Sequence, residues 1–450
     1  MKSFIDKLRE IWSIPELRTR ILITIGFLAV YRFGSYVILP GIDASALKEL
    51  TGNDDGQGLL GLLNTFTGGA FFAAAVFALG IMPYISASII VQLLGFAVPY
   101  FQKLQKDGEN GQRKMNQITR VITIAITVVQ GSTYLAFLKT QYGGAILIDI
   151  PPTIFWLANI IILTSGTIFC MWLGERITDK GVGNGISLLI TAGIIATLPT
   201  AFAKEFSLKL GANGGLVLFI VEMALLVVIV MATVALVQAV RKIKIQFAKH
   251  MIGRAAGPQG GQRDYIPIKL NAAGVMPIIF AQALMFIPGA LAQAVADGSS
   301  GGFWAQMADF TSLPYNVVFF LLVVIFTFVY TALIVNPQQQ AEYLKRQNAF
   351  IAGVKPGNDT AEYIDRVTTL VTLPGSIALG LISILPGVAA ATITSNVGFA
   401  IFYGGTSLLI LVAVVLDTLQ QIEGHLLMRR YDGLIKSGKL KGREKSKSPV

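Results

Sequence analysis

Charged residues and cysteine are both scarce in this sequence. Asp, Glu, Lys and Arg make up 14% of its 450 residues, and 54% are hydrophobic, whereas a typical soluble domain carries about 25% charged residues. This shortage excludes an ordinary soluble domain, and together with 46 glycines it favours a chain that folds in lipid. The single cysteine, Cys170, lies in an apolar run, which excludes an intrachain disulfide and predicts a small buried side chain.

Motifs of nucleotide-driven and metal-dependent enzymes are missing as well. The sequence has no Walker A loop, no HExxH motif and no metal-spaced His/Cys cluster, and its two histidines, His250 and His425, lie in basic segments. The glycine-rich run 181–185 resembles a phosphate loop, but no strand precedes it. We expect a tight turn between two helices there, with Asn184 as a helix cap. The sequence therefore predicts a protein that is not an enzyme and has no cofactor or metal site.

Long apolar runs are what the sequence has instead. A spanning helix needs roughly 20 apolar residues. Ten runs of about this length are 21–39, 81–100, 119–138, 153–173, 186–203, 215–240, 271–293, 316–335, 367–386 and 399–422. Residues 1–20 are charged and amphipathic, and no small-residue cleavage site follows the first run, so a cleaved signal peptide is not expected. The pattern predicts an all-α membrane protein with ten transmembrane helices.

Lysine and arginine are concentrated in every second connection between these runs. Of the 36 Lys and Arg residues, 31 lie in the alternate set of connections and only four in the other set. The rich set is 1–20, 101–120, 174–184, 241–269, 337–366 and the tail from 425. Since cytoplasmic loops carry the excess of Lys and Arg, both termini are expected in the cytoplasm.

The same charge pattern excludes stretch 59–79 as a separate crossing. If it spanned the membrane, every later basic loop would move to the outer side. The stretch contains Gly68, Gly69 and the polar residues Asn64, Thr65 and Thr67. Broken backbone at membrane depth is tolerated only inside protein or beside water. The sequence therefore predicts a short re-entrant helix that starts from the outer face.

An internal repeat links the two halves of the chain. Residues 80–85 and 274–279 share the pattern Gly, β-branched, Met, Pro, any residue, Ile, near the start of the second and seventh expected spans. Two halves of five spans, 21–203 and 204–424, would have opposite orientation in the membrane. An inverted repeat of this kind usually has its functional path between the halves. A proline at such a position suits the first turn of a helix.

Isoleucine pairs offer one set of candidate residues on that path. Ile81 and Ile85 share a helix face, as do Ile186 and Ile190. Ordinary core packing is the commoner reason for such pairs, so the residues alone leave both interpretations open. Of the ionisable residues in the spans, Arg32 lies deepest, and no acid–base pair occurs at the midplane. That pattern weakens an ion-driven transporter without excluding it.

Five longer segments of the chain resemble the SecY/Sec61 alpha family, the channel subunits of Sec protein translocases. They are residues 80–90, 181–187, 264–277, 404–410 and 427–431. The resemblance extends along nearly the whole chain. It implies two inverted five-helix halves with a re-entrant plug helix, forming an hourglass channel. Such a channel passes unfolded secretory proteins across the bacterial plasma membrane and inserts membrane proteins into it.

The resemblance also implies roles for individual residues. An aliphatic ring at the waist would contain Ile81, Ile85, Ile186, Ile190, Ile279 and Ile410. The plug, in stretch 59–79, would include Gly61, Asn64, Thr65, Phe66, Gly68 and Gly69. A lateral gate between spans two, three, seven and eight would carry Gln92 and Gln282. The docking loops 241–269 and 337–366 would present Lys249, Arg254, Arg263, Lys345, Arg346 and Lys355.

Partners follow from the same resemblance. They are the SecE and SecG subunits, the SecA ATPase, the ribosome through its RNA, signal sequences, unfolded polypeptide and membrane lipid. Lys355 stands where the family commonly has arginine; it keeps the charge but loses the bidentate fork. Two other functions stay open on the residues. One is an inverted-repeat secondary transporter of a small solute, which needs a compact polar pocket. The other is an intramembrane enzyme, which needs paired aspartates, a serine with a base, or a metal site.

Overall fold

Helices make up most of the protein in a computed structural model that describes residues 11–51, 59–147, 151–211, 215–247, 263–295, 306–307, 309–394 and 396–436. The chain forms two compact units. Unit 1 contains Met1–Lys48, Thr67–Gly193 and Val414–Val450, and unit 2 contains Glu49–Phe66 and Ile194–Ala413. The prediction of an all-α membrane fold is confirmed, with one small β-sheet that the sequence reading did not foresee.

The regular elements follow in chain order. The helices are α1 (Pro15–Gly34), α2 (Ala44–Thr51), α3 (Leu59–Phe66), α4 (Met82–Ala97), α5 (Pro99–Lys106), α6 (Gly108–Gln141), α7 (Pro152–Lys180), α8 (Gly185–Leu210), α9 (Gly215–Gln238), α10 (Met276–Val295), α11 (Leu313–Ile334), α12 (Pro337–Arg346), α13 (Asn358–Thr392), α14 (Val397–Ala400) and α15 (Gly405–Lys436). Short 3₁₀ turns lie at Gly143–Ala145 and Ile401–Tyr403. The strands are β1 (Val240–Phe247), β2 (Arg263–Lys269) and β3 (Ala349–Ile351).

The number of spanning helices differs from the expected ten. Within the described ranges, seven helices are long and apolar enough to cross a membrane, or eight if α4 and α5 form one bent span. Helix α1 covers most of the first expected span, but it carries Glu16, Arg18, Arg20 and Arg32. The seventh expected span appears as α10, of which the fully described part, Met276–Met285, is too short to be counted as a crossing. The count of ten is therefore not exactly confirmed.

Proline sets the bend in the second expected span. The run 81–100 was expected to be one helix, but α4 ends at Ala97 and α5 begins at Pro99, 101° away in direction. Val98 between them is extended, at φ −114° and ψ 120°. The residue before a proline avoids the helical region because its backbone would clash with the proline ring. The chain therefore turns there.

Unit 1 packs its helices through small and hydroxyl side chains. Helix α1 packs on α7, α4 packs on α6, and α6 packs on α7. The buried hydroxyls of Thr123 and Thr127 on α6 each donate to the carbonyl four residues earlier, at 2.7 Å. Buried polar groups need such partners. The unit can therefore bury threonine inside an apolar bundle.

Unit 2 has one core in its helical bundle and another beneath its sheet. In the bundle, α11 packs on both α10 and α13 around fully buried residues such as Ile278 and Val323. In the sheet, strand order is β2-β1-β3, with β1 antiparallel to both neighbours. Ile243 and Ile245 of β1 face the core below, while Lys242 and Lys244 alternate with them and are exposed.

Both copies of the internal repeat start a helix in the same way. Gly80 and Gly274 have positive φ, 52° and 65°. Two residues later, Met82 begins α4 and Met276 begins α10, each with proline as its second residue. Glycine tolerates this left-handed backbone without a Cβ penalty. The prediction that each repeat proline lies in a first helical turn is confirmed.

Candidate functional site

The six isoleucines of the predicted ring are all described, and they fall in both units. In unit 1, Ile81 and Ile190 are buried, whereas Ile85 and Ile186 are half-buried. In unit 2, the side chains Ile279 and Ile410 are half-buried and buried, respectively. Because the six residues are divided between the two units, the ring that would join them stays a prediction.

The structure separates Ile279 from its neighbour in α10. Ile278 is fully buried in the core of unit 2, between α11 and α13, and Ile279 is not part of that cluster. Successive helical residues point about 100° apart because a turn takes 3.6 residues. Ile279 therefore projects to one side of the packed core and keeps a partly exposed side chain.

The predicted re-entrant stretch 59–79 consists of two different parts. Its first eight residues form α3 in unit 2, in which Thr65 Oγ1 donates to the carbonyl of Gly61 at 2.9 Å. Phe66 is also buried, while Asn64 is half-buried. Residues 67–81 belong to unit 1 and form a series of buried turns without a helix. The helical plug expected across 59–79 is therefore confined to α3.

Unit 2 brings the plug helix and a predicted gate residue to one cavity of about 30 Å³. Leu62 of α3 lines it together with Gln282 of α10 and Ser407 of α15. Gln282 and Ser407 are both buried, and Ser407 lies three residues before Ile410. This space is about the size of one water molecule. Residues predicted for the plug and the gate thus line one cavity within unit 2, together with a residue of the helix that carries Ile410.

The second gate residue, Gln92, lies on α4 in unit 1. It is half-buried, and its Nε2 donates to Ser88 Oγ one helical turn earlier at 3.2 Å. A gate formed by Gln92 and Gln282 would require the two units together, so it stays a prediction. Each glutamine is held on an apolar helix, where a polar side chain needs a partner.

The predicted docking residues lie at the edges of the sheet of unit 2 where the structure describes them. Lys345 and Arg346 end α12 and are exposed, and Lys355 is exposed in the turn before α13. Arg263 begins β2, with its side chain outside the described part, and Lys249 and Arg254 lie outside the described residues. The sheet adds four exposed cations that were not singled out: Arg241, Lys242 and Lys244 of β1 and Lys269 of β2. In β1, lysine alternates with isoleucine, and this alternation was the sequence signal for a strand with one exposed basic face.

The turn between α7 and α8 is held from three sides in unit 1. Asn184 Oδ1 accepts from the backbone N–H of Ile186 at 3.1 Å and of Ser187 at 3.3 Å, so the predicted helix cap is confirmed. The amide of Val182 donates to Thr24 Oγ1 on α1, and the amide of Gly183 donates to Gln421 Oε1 on α15. The glycines serve a tight crossing of helices and not a phosphate group.

Sequence reasoning missed a buried ion triad in unit 2. Lys209 Nζ lies 2.7 Å from Glu222 Oε1 and 3.7 Å from Glu205 Oε1, and all three side chains are buried. Lys209 also donates to the carbonyl of Ile393 at 3.1 Å, and Glu205 Oε2 accepts from the amide of Asn396 at 2.8 Å. The Glu205/Lys209 spacing of four residues was the only sequence signal. The triad ties α8 and α9 to segment 393–404.

Comparison of the sequence with known proteins gives one family. The family model described as SecY matches residues 75–419. A protein translocase subunit SecY from Streptomyces scabiei is 40% identical over 441 residues, which cover 94% of this chain and 98% of that relative. Subunits of the same name from Chlamydia muridarum and Mycobacterium tuberculosis are 38% and 39% identical. They cover 97% of this chain and 99% and 100% of their own lengths.

Comparison of the fold leads to solved channel structures. One described as a protein conducting channel matches with a TM-score of 0.60 at 18% identity, covering 98% of this chain and all of the other. A second concerns a SecY plug domain that stabilises the closed state of the translocation channel and maintains a membrane seal; its TM-score is 0.61 at 19% identity. Sec61 in the canine ribosome–channel complex matches at 0.58 and 18%. The fold of this chain is that of these channels.

Proposed function

This chain belongs to the SecY family, and we propose that it is the central protein-conducting channel subunit of a protein translocase. It moves unfolded secretory proteins across the bacterial plasma membrane and inserts membrane proteins into it. The observation that carries this function is the match to translocase subunits over 94% to 97% of the chain. The match favours the channel over a secondary transporter of a small solute, because those relatives are named as translocase subunits.

An aliphatic ring would form the narrow passage. We assign it to the six isoleucines 81, 85, 186, 190, 279 and 410. Branched apolar side chains give an unfolded chain no hydrogen-bonding partner, so the passage binds no particular sequence. A hydrophobic constriction of this kind also excludes ions by dewetting. The partly exposed positions of Ile85, Ile186 and Ile279 support this assignment.

The plug and gate would control access to that ring. Helix α3 seals the outer side at rest, and Gln92 and Gln282 lie on a lateral seam through which apolar signal sequences reach lipid. Support comes from the cavity that Leu62 of α3 shares with Gln282. Opening of the seam would expose two glutamines to a new environment. Such polar side chains are costly in lipid, which favours the closed seam at rest.

Partners supply the driving force, because the sequence has no nucleotide-binding motif of its own. We assign docking of the SecA ATPase and of the ribosome to the sheet of unit 2 and the loops around it. Exposed Lys242, Lys244 and Lys345 give that surface the charge that RNA phosphates require. The fold match to Sec61 in a ribosome–channel complex supports the ribosome as partner. SecE and SecG complete the proposed assembly.

Membrane orientation follows from the charges. The basic connections, residues 1–20 and the tail 425–450 lie in the cytoplasm in this proposal, and α3 enters from the outer side. The segregation of 31 Lys and Arg residues against four supports it. The proposed halves 21–203 and 204–424 are supported by the matching helix starts at Met82 and Met276.

Ion conductance separates a plugged channel from a carrier. The test replaces Leu59–Phe66 by a Gly/Ser linker of the same eight residues, which removes the apolar seal and keeps the chain length. We expect purified chain in planar bilayers to be nearly silent, and the variant to conduct ions steadily without any solute gradient. Silence of both proteins, together with solute-dependent uptake by the wild type, would contradict the channel and favour the carrier.

A further inference from the structure

Arg32 is a charged residue in the apolar part of α1, and its contacts are unusual. The side chain is half-buried. Its Nη1 donates to the carbonyl of Gly68 at 3.0 Å, and its Nη2 donates to the hydroxyl of Tyr36 at 3.0 Å. Its guanidinium also lies 5.2 Å from the centre of the Tyr36 ring. An ionisable residue inside a membrane helix is a functional-site hypothesis by default.

The backbone conformation of Gly68 and its missing side chain leave space for the guanidinium of Arg32. Its φ is +68°, a backbone conformation that other residues rarely adopt. A Cβ at this position would collide with Arg32 Nη1 and would lie 3.0 Å from the Cα of Gly193 on α8. Gly69 follows with φ +90° and open space around it. Two consecutive glycines thus follow α3 after one intervening residue, Thr67; the first is tightly enclosed and the second has open space around it.

The chain after Gly69 is fixed to unit 1. The amide of Leu39 donates to the carbonyl of Ala74, and the amide of Val76 donates to the carbonyl of Val37, both at 2.8 Å. The Tyr134 hydroxyl donates to the carbonyl of Phe71 at 2.6 Å. Residues 70, 71, 74, 75, 77 and 78 are all buried apolar side chains. This segment has no room to move with a displaced plug.

The chain before Gly68 is different, because α3 has only eight residues and belongs to the other compact unit. We propose that Arg32 is a latch on the plug, and that the moving part of the plug ends at Gly68 and Gly69. Opening rotates the peptide between these glycines. This rotation removes the Gly68 carbonyl from Arg32, breaks the 3.2 Å hydrogen bond from the Phe71 amide to Thr67 Oγ1, and frees α3. Residues 70–81 stay packed. This inference rests on the proposed function, since it assigns the regulation of the same channel.

Arg32→Met removes both hydrogen bonds and keeps a long side chain. A net hydrogen bond to a charged group is worth about a tenfold or greater shift in an equilibrium. We therefore expect resting ion conductance in planar bilayers to rise about tenfold or more. Arg20→Met is the matched control, because Arg20 lies on the same helix and donates to another carbonyl, that of Gly181 at 3.4 Å. Its conductance should stay at the wild-type level.

A second readout follows α3 directly and does not depend on conductance. Leu62→Cys places a thiol on the plug helix, and the native Cys170 is buried. A membrane-impermeant maleimide added from the outside should label Cys at 62 faster in the Arg32→Met background than in the Arg20→Met background. Arg32→Lys keeps one donor and should fall between wild type and Arg32→Met in both readouts.

The latch is overturned if Arg32→Met, folded and translocating, matches Arg20→Met in both conductance and labelling. It is also overturned if Arg32→Lys leaks as much as Arg32→Met, because the hydrogen bond would then be irrelevant. Translocation of an unfolded secretory protein through wild-type vesicles, driven by an ATPase motor, is scored separately. Its failure would count against the proposed function, whereas a null result for the arginine variants alone would count only against the latch.

Discussion

Two buried segments on the expected outer side, 67–81 in unit 1 and 393–404 in unit 2, are held in contrasting ways. Segment 67–81 is fixed by backbone hydrogen bonds to residues 37 and 39, with a single cation, Arg32, at its start. Segment 393–404 is bound to the three residues of the triad. The Ile393 carbonyl accepts from Lys209, the Asn396 amide donates to the Glu205 carboxylate, and the Tyr403 hydroxyl donates to the backbone carbonyl of Glu222. One segment is packed except at the end next to α3, where single hydrogen bonds hold it, and the other is held by a buried ion triad.

The contrast matches what lies beside each segment. Each segment leads into a helix with a predicted ring residue, and a glycine of positive φ lies at each junction: Gly80, two residues before α4, and Gly405, the first residue of α15. Only segment 67–81 is preceded by the plug helix α3. A pore wall must stay in place while its seal moves. Buried ion networks break at high cost, so they suit the wall, whereas single hydrogen bonds suit a reversible seal.

The largest expected effect comes from breaking the buried ion triad. Lys209→Met would leave the carboxylates of Glu205 and Glu222 buried without a cation. Removing one partner of a buried ion pair costs about 3–5 kcal/mol. We expect a large drop in thermal stability of the purified protein in detergent, or failure to accumulate in the membrane. Lys204→Met, at an exposed position on the same helix, is the control and should change stability by less than about 0.5 kcal/mol. Equal stability of the two variants would contradict the role of the triad.

A smaller effect on stability is expected from substitutions at Gly68 and Gly69, at the start of segment 67–81. Gly68→Ala adds a methyl group that meets Arg32 and Gly193 at a positive φ, whereas Gly69→Ala adds one at a positive φ in open space. Left-handed backbone costs a non-glycine residue about 1–2 kcal/mol, so both variants carry that cost. The added contact makes Gly68→Ala the leakier channel in bilayer conductance, with less stability lost than in Lys209→Met. Greater leakage from Gly69→Ala than from Gly68→Ala would contradict the role of the Arg32–Gly68 contact.

No effect on translocation is expected when segment 67–81 is crosslinked to the chain at residue 38 by a disulfide. Ile38 and Ala75 are antiparallel bridge partners, at a separation that a disulfide between Ile38→Cys and Ala75→Cys can span. Because residues 70–81 stay packed during opening, translocation should be equal before and after oxidation. The reduced protein is its own control. A block on oxidation that reductant reverses would show that the whole stretch 59–79 moves.

The architecture could be read from the sequence where physics acts on long segments. Apolar runs and the alternation of Lys and Arg predicted an all-α membrane chain, and the Met-Pro repeat predicted the starts of α4 and α10. The predicted number of spans was less accurate, because a few residues decide whether an apolar run forms one regular helix. The four charges of α1 and the proline at 99 reduce the count of regular spans. The sheet of β1, β2 and β3 was not predicted, because the charge of the loop masked the alternation of lysine and isoleucine in β1.

The candidate site was predictable only in part. The turn at Asn184 follows a local rule, so its sequence signal was sufficient, whereas the helix expected in stretch 59–79 ends at Phe66. The Arg32–Gly68 hydrogen bond joins residues that are 36 positions apart along the chain. The Lys209 triad joins residues of two different helices, α8 and α9. Nothing in local spacing identifies such partners, because tertiary packing selects them. Arg32 stood out only as a charge in an apolar run, which raised the question of its partner without answering it.

The path of the substrate is the most direct test of the channel. Photoreactive residues are placed at Ile85 and at Ile279 in separate variants, and a secretory chain is stalled during translocation. The control variants carry the probe at Val121 and Val217, which are 67% and 66% exposed on the outsides of α6 and α9. We predict crosslinks to the stalled chain from both isoleucine positions and from neither valine. Crosslinks from the valines alone, or from none of the four positions while the chain is translocated, would contradict a passage lined by these isoleucines.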